Sequence, residues 1–131
     1  MIVRTLHETI GTDRDVDTRS WNSRRLLLRR DGVAFGLHDT VIRAGAQIDM
    51  CYRHHVEAVY CVAGTGSVQV LPDGPLHSIE DGTLYTLDNH EPHRLRASTD
   101  LRMICVFSPP LMGDEVHDAS GAYPLPGHAA K

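Results

Sequence analysis

Glu57-Ala58-Val59-Tyr60-Cys61-Val62-Ala63-Gly64-Thr65-Gly66 is the stretch whose reading decides the fold, together with Gly82-Thr83-Leu84-Tyr85-Thr86-Leu87-Asp88-Asn89 and the His93 that follows. Val59, Tyr60 and Val62 make the first segment rich in β-formers, and glycines close it at a tight connection where a positive φ is tolerated. The Asp81-Gly82 turn opens the second segment, which ends at Asp88-Asn89. Working outward, the same grammar repeats. Leu26-Leu27-Leu28 runs into Asp31-Gly32, and Val33 to His38 leads through Asp39 to Ile42 and stops at Gly45. Ser67 to Leu71 ends at Pro72-Asp73-Gly74-Pro75, Leu76 to Ile79 ends at Asp81-Gly82, and Leu101 to Phe107 ends before Pro109-Pro110. Short apolar runs with such punctuation predict an all-β sandwich or barrel. Helix is credible only near Leu6 to Ile10 and after Gly113.

Composition bounds the rest. The chain has 131 residues, room for one domain with a real core, and a net charge of −4. That balance offers no basic footprint for nucleic acid and no polybasic membrane anchor. No apolar run approaches a membrane span, and Met1 to Thr12 is too polar for a signal peptide. Cys51, Cys61 and Cys105 contain no CxxC, which suits reduced thiols in a cytoplasmic protein.

The spacing of Glu57 to Gly64, and of Gly82, Tyr85, Asn89 and His93, resembles the two motifs of the cupin superfamily, whose small barrel holds one divalent metal. Histidines usual in the first motif are absent here, and Tyr85 replaces that of the second. Glu57, Tyr85 and His93 are therefore candidate ligands, a carboxylate, a phenolate and an imidazole. Three protein ligands leave positions open for a substrate. Such a set suits Fe(II) and tolerates Mn, Co, Ni or Zn. The plain alternative is that Tyr85 is a strand aromatic and His93 a surface histidine.

Other residues invite chemistry less directly. His54 and His55 are adjacent, so at most one faces inward on a strand. Cys105 and Phe107, two apart on one strand, share a face. Trp21, the only tryptophan, precedes Asn22-Ser23-Arg24-Arg25 and suits the wall of an anion pocket, with Arg25 as a bidentate carboxylate clamp. Glu115 and His117, two apart, can form an acid–base pair or belong to a charged C-terminal turn.

Beyond the superfamily, several strings resemble the ectoine synthase family: Met1-Ile2-Val3-Arg4, Trp21 to Leu28, Glu57 to Cys61, Cys105-Val106-Phe107 with Pro109-Pro110-Leu111, Glu115-Val116-His117-Asp118 and Tyr123-Pro124-Leu125. The resemblance implies a single jelly-roll-like cupin domain over 1–125, with one or two short helices and a flexible tail, 126–131. It implies a cytoplasmic hydro-lyase that closes N-γ-acetyl-L-2,4-diaminobutyrate into ectoine, a compatible solute of osmotic stress. It further implies an iron centre on Glu57, Tyr85 and His93, and a homodimer. A cupin barrel has sheet edges, so a strand from Ile2 to Thr5 can pair or pack across the interface. The family's substrate pocket falls on Trp21, Ser23, Arg25, Thr40, Tyr52, Cys105, Phe107, Glu115 and His117. Of these, Glu115, His117 and Tyr52 are the candidates for handling the proton of the substrate's amine. Cys51 stands where many relatives carry His. A metal-dependent dioxygenase or isomerase on the same barrel is the competing enzyme class; a solute-sensing cupin lacks a DNA-binding appendage here.

Overall fold

Period-two burial runs along most of the described residues, and it builds ten strands there. The computed structural model describes residues 1–113, 115–117 and 122. The strands are β1 (Asp15–Asp17), β2 (Trp21–Leu27), β3 (Gly36–Ile42), β4 (Gln47–Met50), β5 (Val56–Ala63), β6 (Gly66–Val70), β7 (Leu76–Ile79), β8 (Leu84–Leu87), β9 (His93–Ala97) and β10 (Leu101–Ser108). One short helix, α1 (Leu6–Thr9), lies where the sequence suggests it, closed by a capping box between Thr5 and Glu8. A single 3₁₀ turn covers Arg29–Asp31. Residues 115–117 are not helical. Asp118, Tyr123-Pro124-Leu125, the end of the expected domain and the tail 126–131 lie outside the described residues.

All ladders are antiparallel, in two sheets. One has six strands in the order β1-β2-β3-β10-β5-β8, the other four in the order β4-β9-β6-β7. Their inner faces enclose one core that includes Trp21, Met50, Tyr52, Val59, Leu95, Met103 and Phe107. Each large apolar side chain shut between the sheets contributes on the order of 1.5–3 kcal/mol. The ladders do not join into one closed barrel, so the architecture is a cupin-like β-sandwich.

The Gly64-Thr65-Gly66 element is not a hairpin but a corner, carrying the chain from β5 in one sheet to β6 in the other. Gly64 has φ +113°, and a Cβ there would sit 2.2 Å from the Asp100 carbonyl oxygen; at Gly66 the gap to the Arg96 oxygen is 2.1 Å. No other residue fits this close approach of two backbones.

Three strands, β1, β4 and β9, go beyond what the apolar runs predict. β4 and β9 read as polar because their outward residues pair across the ladder. Arg94 donates to both Asp49 oxygens at 2.7 and 2.9 Å, and Arg96 Nε donates to Gln47 at 2.8 Å. Residues 1–5 form no strand, which corrects the expectation for Ile2 to Thr5; Met1 and Val3 are strongly exposed.

Candidate active site

Strand register writes most of the site onto one face. Side chains opposite each other in a ladder point the same way, as do alternate residues along a strand. Ser23 pairs with Thr40 and Arg25 with His38 across β2 and β3. His38 pairs with Cys105 across β3 and β10. Cys105 pairs with Val59 and Phe107 with Glu57 across β10 and β5. Val59 pairs with Tyr85 across β5 and β8. Trp21, Ser23, His38, Thr40, Glu57, Tyr85, Cys105 and Phe107 therefore share the inner face, and all eight line one cavity between the sheets. The four-stranded sheet adds Ile48, Met50 and Leu95, the loop after β4 adds Tyr52, and the C-terminal segment adds His117.

Glu57 and Tyr85 are diagonal neighbours on this face; Glu57 is buried and Tyr85 half-buried. Burial pushes the Glu57 carboxyl up to about 8, with a Cys105 hydrogen bond opposing it. Burial, then the nearby Glu57, pushes the Tyr85 phenol well above its usual range. Burial holds the His93 imidazole low. His93 comes from the other sheet, on β9, with its ring 5.8 Å from that of Tyr52. Its Nδ1 lies 2.9 Å from the Glu91 carbonyl, which fixes Nδ1 as the protonated nitrogen and leaves Nε2 a bare lone pair. That Nε2 is buried and has no hydrogen-bond partner. Among the described residues no three His, Cys, Asp or Glu side chains gather tightly enough to hold a cation, so any such group here needs the phenol. A carboxyl and a phenol both kept neutral, with an imidazole already oriented through its other nitrogen, are donor types that a divalent cation would complete. His93 itself does not border the cavity.

A second polar cluster joins the strands to the C-terminal segment. Arg25 is completely buried. Its Nε donates to Ser23 Oγ at 3.2 Å, Nη1 to the Gly113 carbonyl at 3.0 Å and Nη2 to the Glu115 carbonyl at 2.7 Å. The Glu115 carboxylate turns back on its own segment and accepts from the Met112 and Gly113 amides, both at 2.6 Å. His117 Nε2 lies 2.9 Å from the Tyr52 hydroxyl. Trp21 and His117 rings are 5.8 Å apart.

A family model described as ectoine synthase matches residues 1–127. An L-ectoine synthase of Desulfatibacillum aliphaticivorans is 52% identical over 127 residues, covering 95% of this chain and 98% of its own. One from Saccharophagus degradans is 50% identical over 129 residues, covering 98% of each. The chain belongs to the ectoine synthase family. The crystal structure of ectoine synthase from P. lautus superposes with a TM-score of 0.87 at 48% identity, over 99% of this chain and 96% of that one. An RmlC-like cupin from Shewanella frigidimarina shares the fold alone, with a TM-score of 0.62 at 22% identity, over 72% and 82% of the two chains. The chain is thus a lyase of ectoine biosynthesis on a cupin fold.

Within this ectoine synthase fold the expected residues divide into two groups, with His93 outside both. Trp21, Ser23, Thr40, Tyr52, Glu57, Tyr85, Cys105, Phe107 and His117 meet at the cavity. Arg25 and Glu115 do not border it; they brace the segment that carries His117. Cys51 lies off the cavity with its thiol against the His90 carbonyl. His55 is buried against Phe107, with Nδ1 at 2.9 Å from the Pro109 carbonyl, while His54 is exposed. Burial and the nearby Glu57 keep the Cys105 thiol protonated, which makes it a wall rather than a nucleophile. Sequence reasoning missed His38. Its signal was present, because His38 precedes Thr40 by two and must share its face.

Proposed function

We propose that the chain closes N-γ-acetyl-L-2,4-diaminobutyrate into ectoine with loss of water, using Fe(II) held by Glu57, Tyr85 and His93. What supports this reading is that nine of the expected side chains, from the six-stranded sheet, the loop after β4 and the C-terminal segment, converge on one small cavity. In the reaction the substrate's α-amine attacks its own γ-acetamide carbonyl carbon; the amide oxygen leaves as water and a cyclic amidine forms. When bound, the metal supplies a Lewis acid for an amide that is otherwise a poor electrophile.

The chain's own residues do the rest. The short span between the sheets favours a folded substrate whose ends meet, which lowers the entropic part of the barrier. Trp21, Val59, Leu95, Met103 and Phe107 give an apolar wall that limits water, and water favours the reverse reaction. The buried guanidinium of Arg25, one hydrogen bond behind Ser23, places positive charge near the wall and suits the substrate's carboxylate. The Tyr52–His117 pair borders the cavity and takes the proton that the α-ammonium must lose before it attacks. Glu115 supports this pair by shaping its segment rather than by touching the amine.

Incubating iron-loaded protein with the acetylated diamino acid, followed by product identification, tests the reading; ectoine and water are expected. Oxygen consumption without ectoine would instead favour a dioxygenase.

The same reading makes the enzyme a cytoplasmic homodimer producing a compatible solute for osmotic stress. No helix among the described residues is long and apolar enough to cross a membrane. Cys51, Cys61 and Cys105 are all free thiols, as a reducing compartment favours. A largely apolar groove of Met1, Ile2, Leu26, Leu27, Val33 and Leu37, with Arg4 among them, offers the contact surface that the missing N-terminal strand does not. Light scattering should return twice the 14.5 kDa chain mass; an active monomer would contradict the dimer.

A further inference from the structure

His38 stands at the centre of the six-stranded sheet, between Arg25 on β2 and Cys105 on β10. It borders the cavity and is 1% exposed, its ring 4.9 Å from that of Phe107. Its Nε2 is buried without a hydrogen-bond partner. Leaving such an atom unpaired is costly, because the hydration it lost on burial is not replaced. On a cavity wall, that cost marks a place where a ligand atom completes the bond.

The other ring nitrogen decides what Nε2 offers. Nδ1 lies 3.3 Å from Ser23 Oγ. Arg25 Nε, which can only donate, gives its proton to the same oxygen at 3.2 Å, and Thr40 Oγ1 lies 3.5 Å from it. Ser23 has one proton of its own to place, and Nδ1 is the nearer acceptor. With Nδ1 accepting, a neutral ring carries its proton on Nε2. Neutrality follows from the surroundings: burial first, then the Arg25 charge and His55, hold the imidazole well below its ordinary range.

The ring closure proposed above has a place for an uncharged donor. When the amine nitrogen bonds to the carbonyl carbon, the π pair moves onto the acetamide oxygen. That oxygen then gains two protons and leaves as water, while the nitrogen loses its remaining protons to form the C=N bond. Negative charge therefore builds on one oxygen before it departs. We infer that His38 is a further catalytic residue, whose Nε2–H donates a hydrogen bond to the acetamide oxygen as that charge builds. The imidazole keeps its proton, so the atoms balance without it. A carbonyl oxygen has two lone pairs, so this bond and a Lewis acid do not compete.

The inference rests on the ring-closure reading, and the two fail separately. If the parent enzyme makes no ectoine, the ring-closure reading fails. If the parent is active, His38→Leu should lower kcat about 100-fold with KM little changed, as for loss of one donor to a developing oxyanion. His38→Gln, whose amide N–H reaches close to the Nε2 position, should recover part of that loss. Circular dichroism and iron content of both variants should match the parent. Full kcat in His38→Leu, or a change confined to KM, overturns the assignment. Two-bond ¹H–¹⁵N spectra of zinc-loaded protein supply a readout independent of turnover and of how the variants fold. They should show the Nε2–H tautomer at neutral pH, and an Nδ1–H or doubly protonated ring overturns it.

Discussion

Glu57→Ala, Tyr85→Phe and His93→Ala should each lose most of their bound iron, and kcat should fall on the order of 100-fold or more, beyond what losing a residue that merely orients a ligand usually costs. Tyr85→Phe is the sharpest of the three, because it removes one oxygen and keeps the ring that packs against the core. Loss of activity should not reflect unfolding. Burial raises the Glu57 carboxyl to about 8, so in the metal-free protein this group is enclosed at a cost. A carboxyl with a raised pKa costs stability progressively as pH rises from its unfolded value, near 4.5, and in full only above about 8. At neutral pH the metal-free Glu57→Ala protein should therefore melt no lower than the metal-free parent, apart from the effect of the small cavity created. Metal analysis and thermal melts of the same samples decide the matter. Full iron in all three variants would sink the ligand assignment, and unaltered iron in Tyr85→Phe alone would remove the phenol from it.

Arg25→Ala should cost about 3–5 kcal/mol of stability, the range for breaking a buried charged pair. Its guanidinium is wholly enclosed and satisfies two backbone carbonyls, Gly113 and Glu115, while standing 4.0 Å from the Glu115 carboxylate. Without it those carbonyls lose a donor and that carboxylate loses its countercharge, in a place water reaches poorly. His117 sits two residues beyond Glu115 and loses its support, so kcat should fall as well as KM rise. Arg25→Lys should rescue little, because one ammonium cannot reach Ser23, Gly113 and Glu115 in three directions. A simple carboxylate clamp, the role that sequence suggests for Arg25, predicts otherwise: an unchanged Tm and a raised KM alone. Denaturation and steady-state kinetics on Arg25→Ala distinguish the two, and the clamp signature would overturn the bracing role.

Several residues are legible from sequence because their signals are local. Gly64 marks a tight connection at a positive φ, and Cys105 with Phe107 marks a shared face. Thr5 and Glu8 fall where a short helix is expected, three residues apart as a capping box requires. β4 and β9 are illegible for an equally physical reason. Their outward Asp49, Arg94 and Arg96 are stabilised across the ladder, so each strand alone looks like a polar loop.

By itself the sequence determined the class of fold, the family and the residue types available for chemistry. Period-two patterning, turn glycines and motif spacing depend only on neighbours along the chain. Tertiary structure alone decided which of those side chains share the cavity. A side chain's direction there depends on ladder register and on the facing sheet, set by residues tens of positions away. That is why Arg25, on the same strand face as Ser23, ends as a brace behind the cavity wall while Ser23 borders the cavity. It is also why His38, whose spacing from Thr40 shows only that the two share a face, stands beside the proposed chemistry.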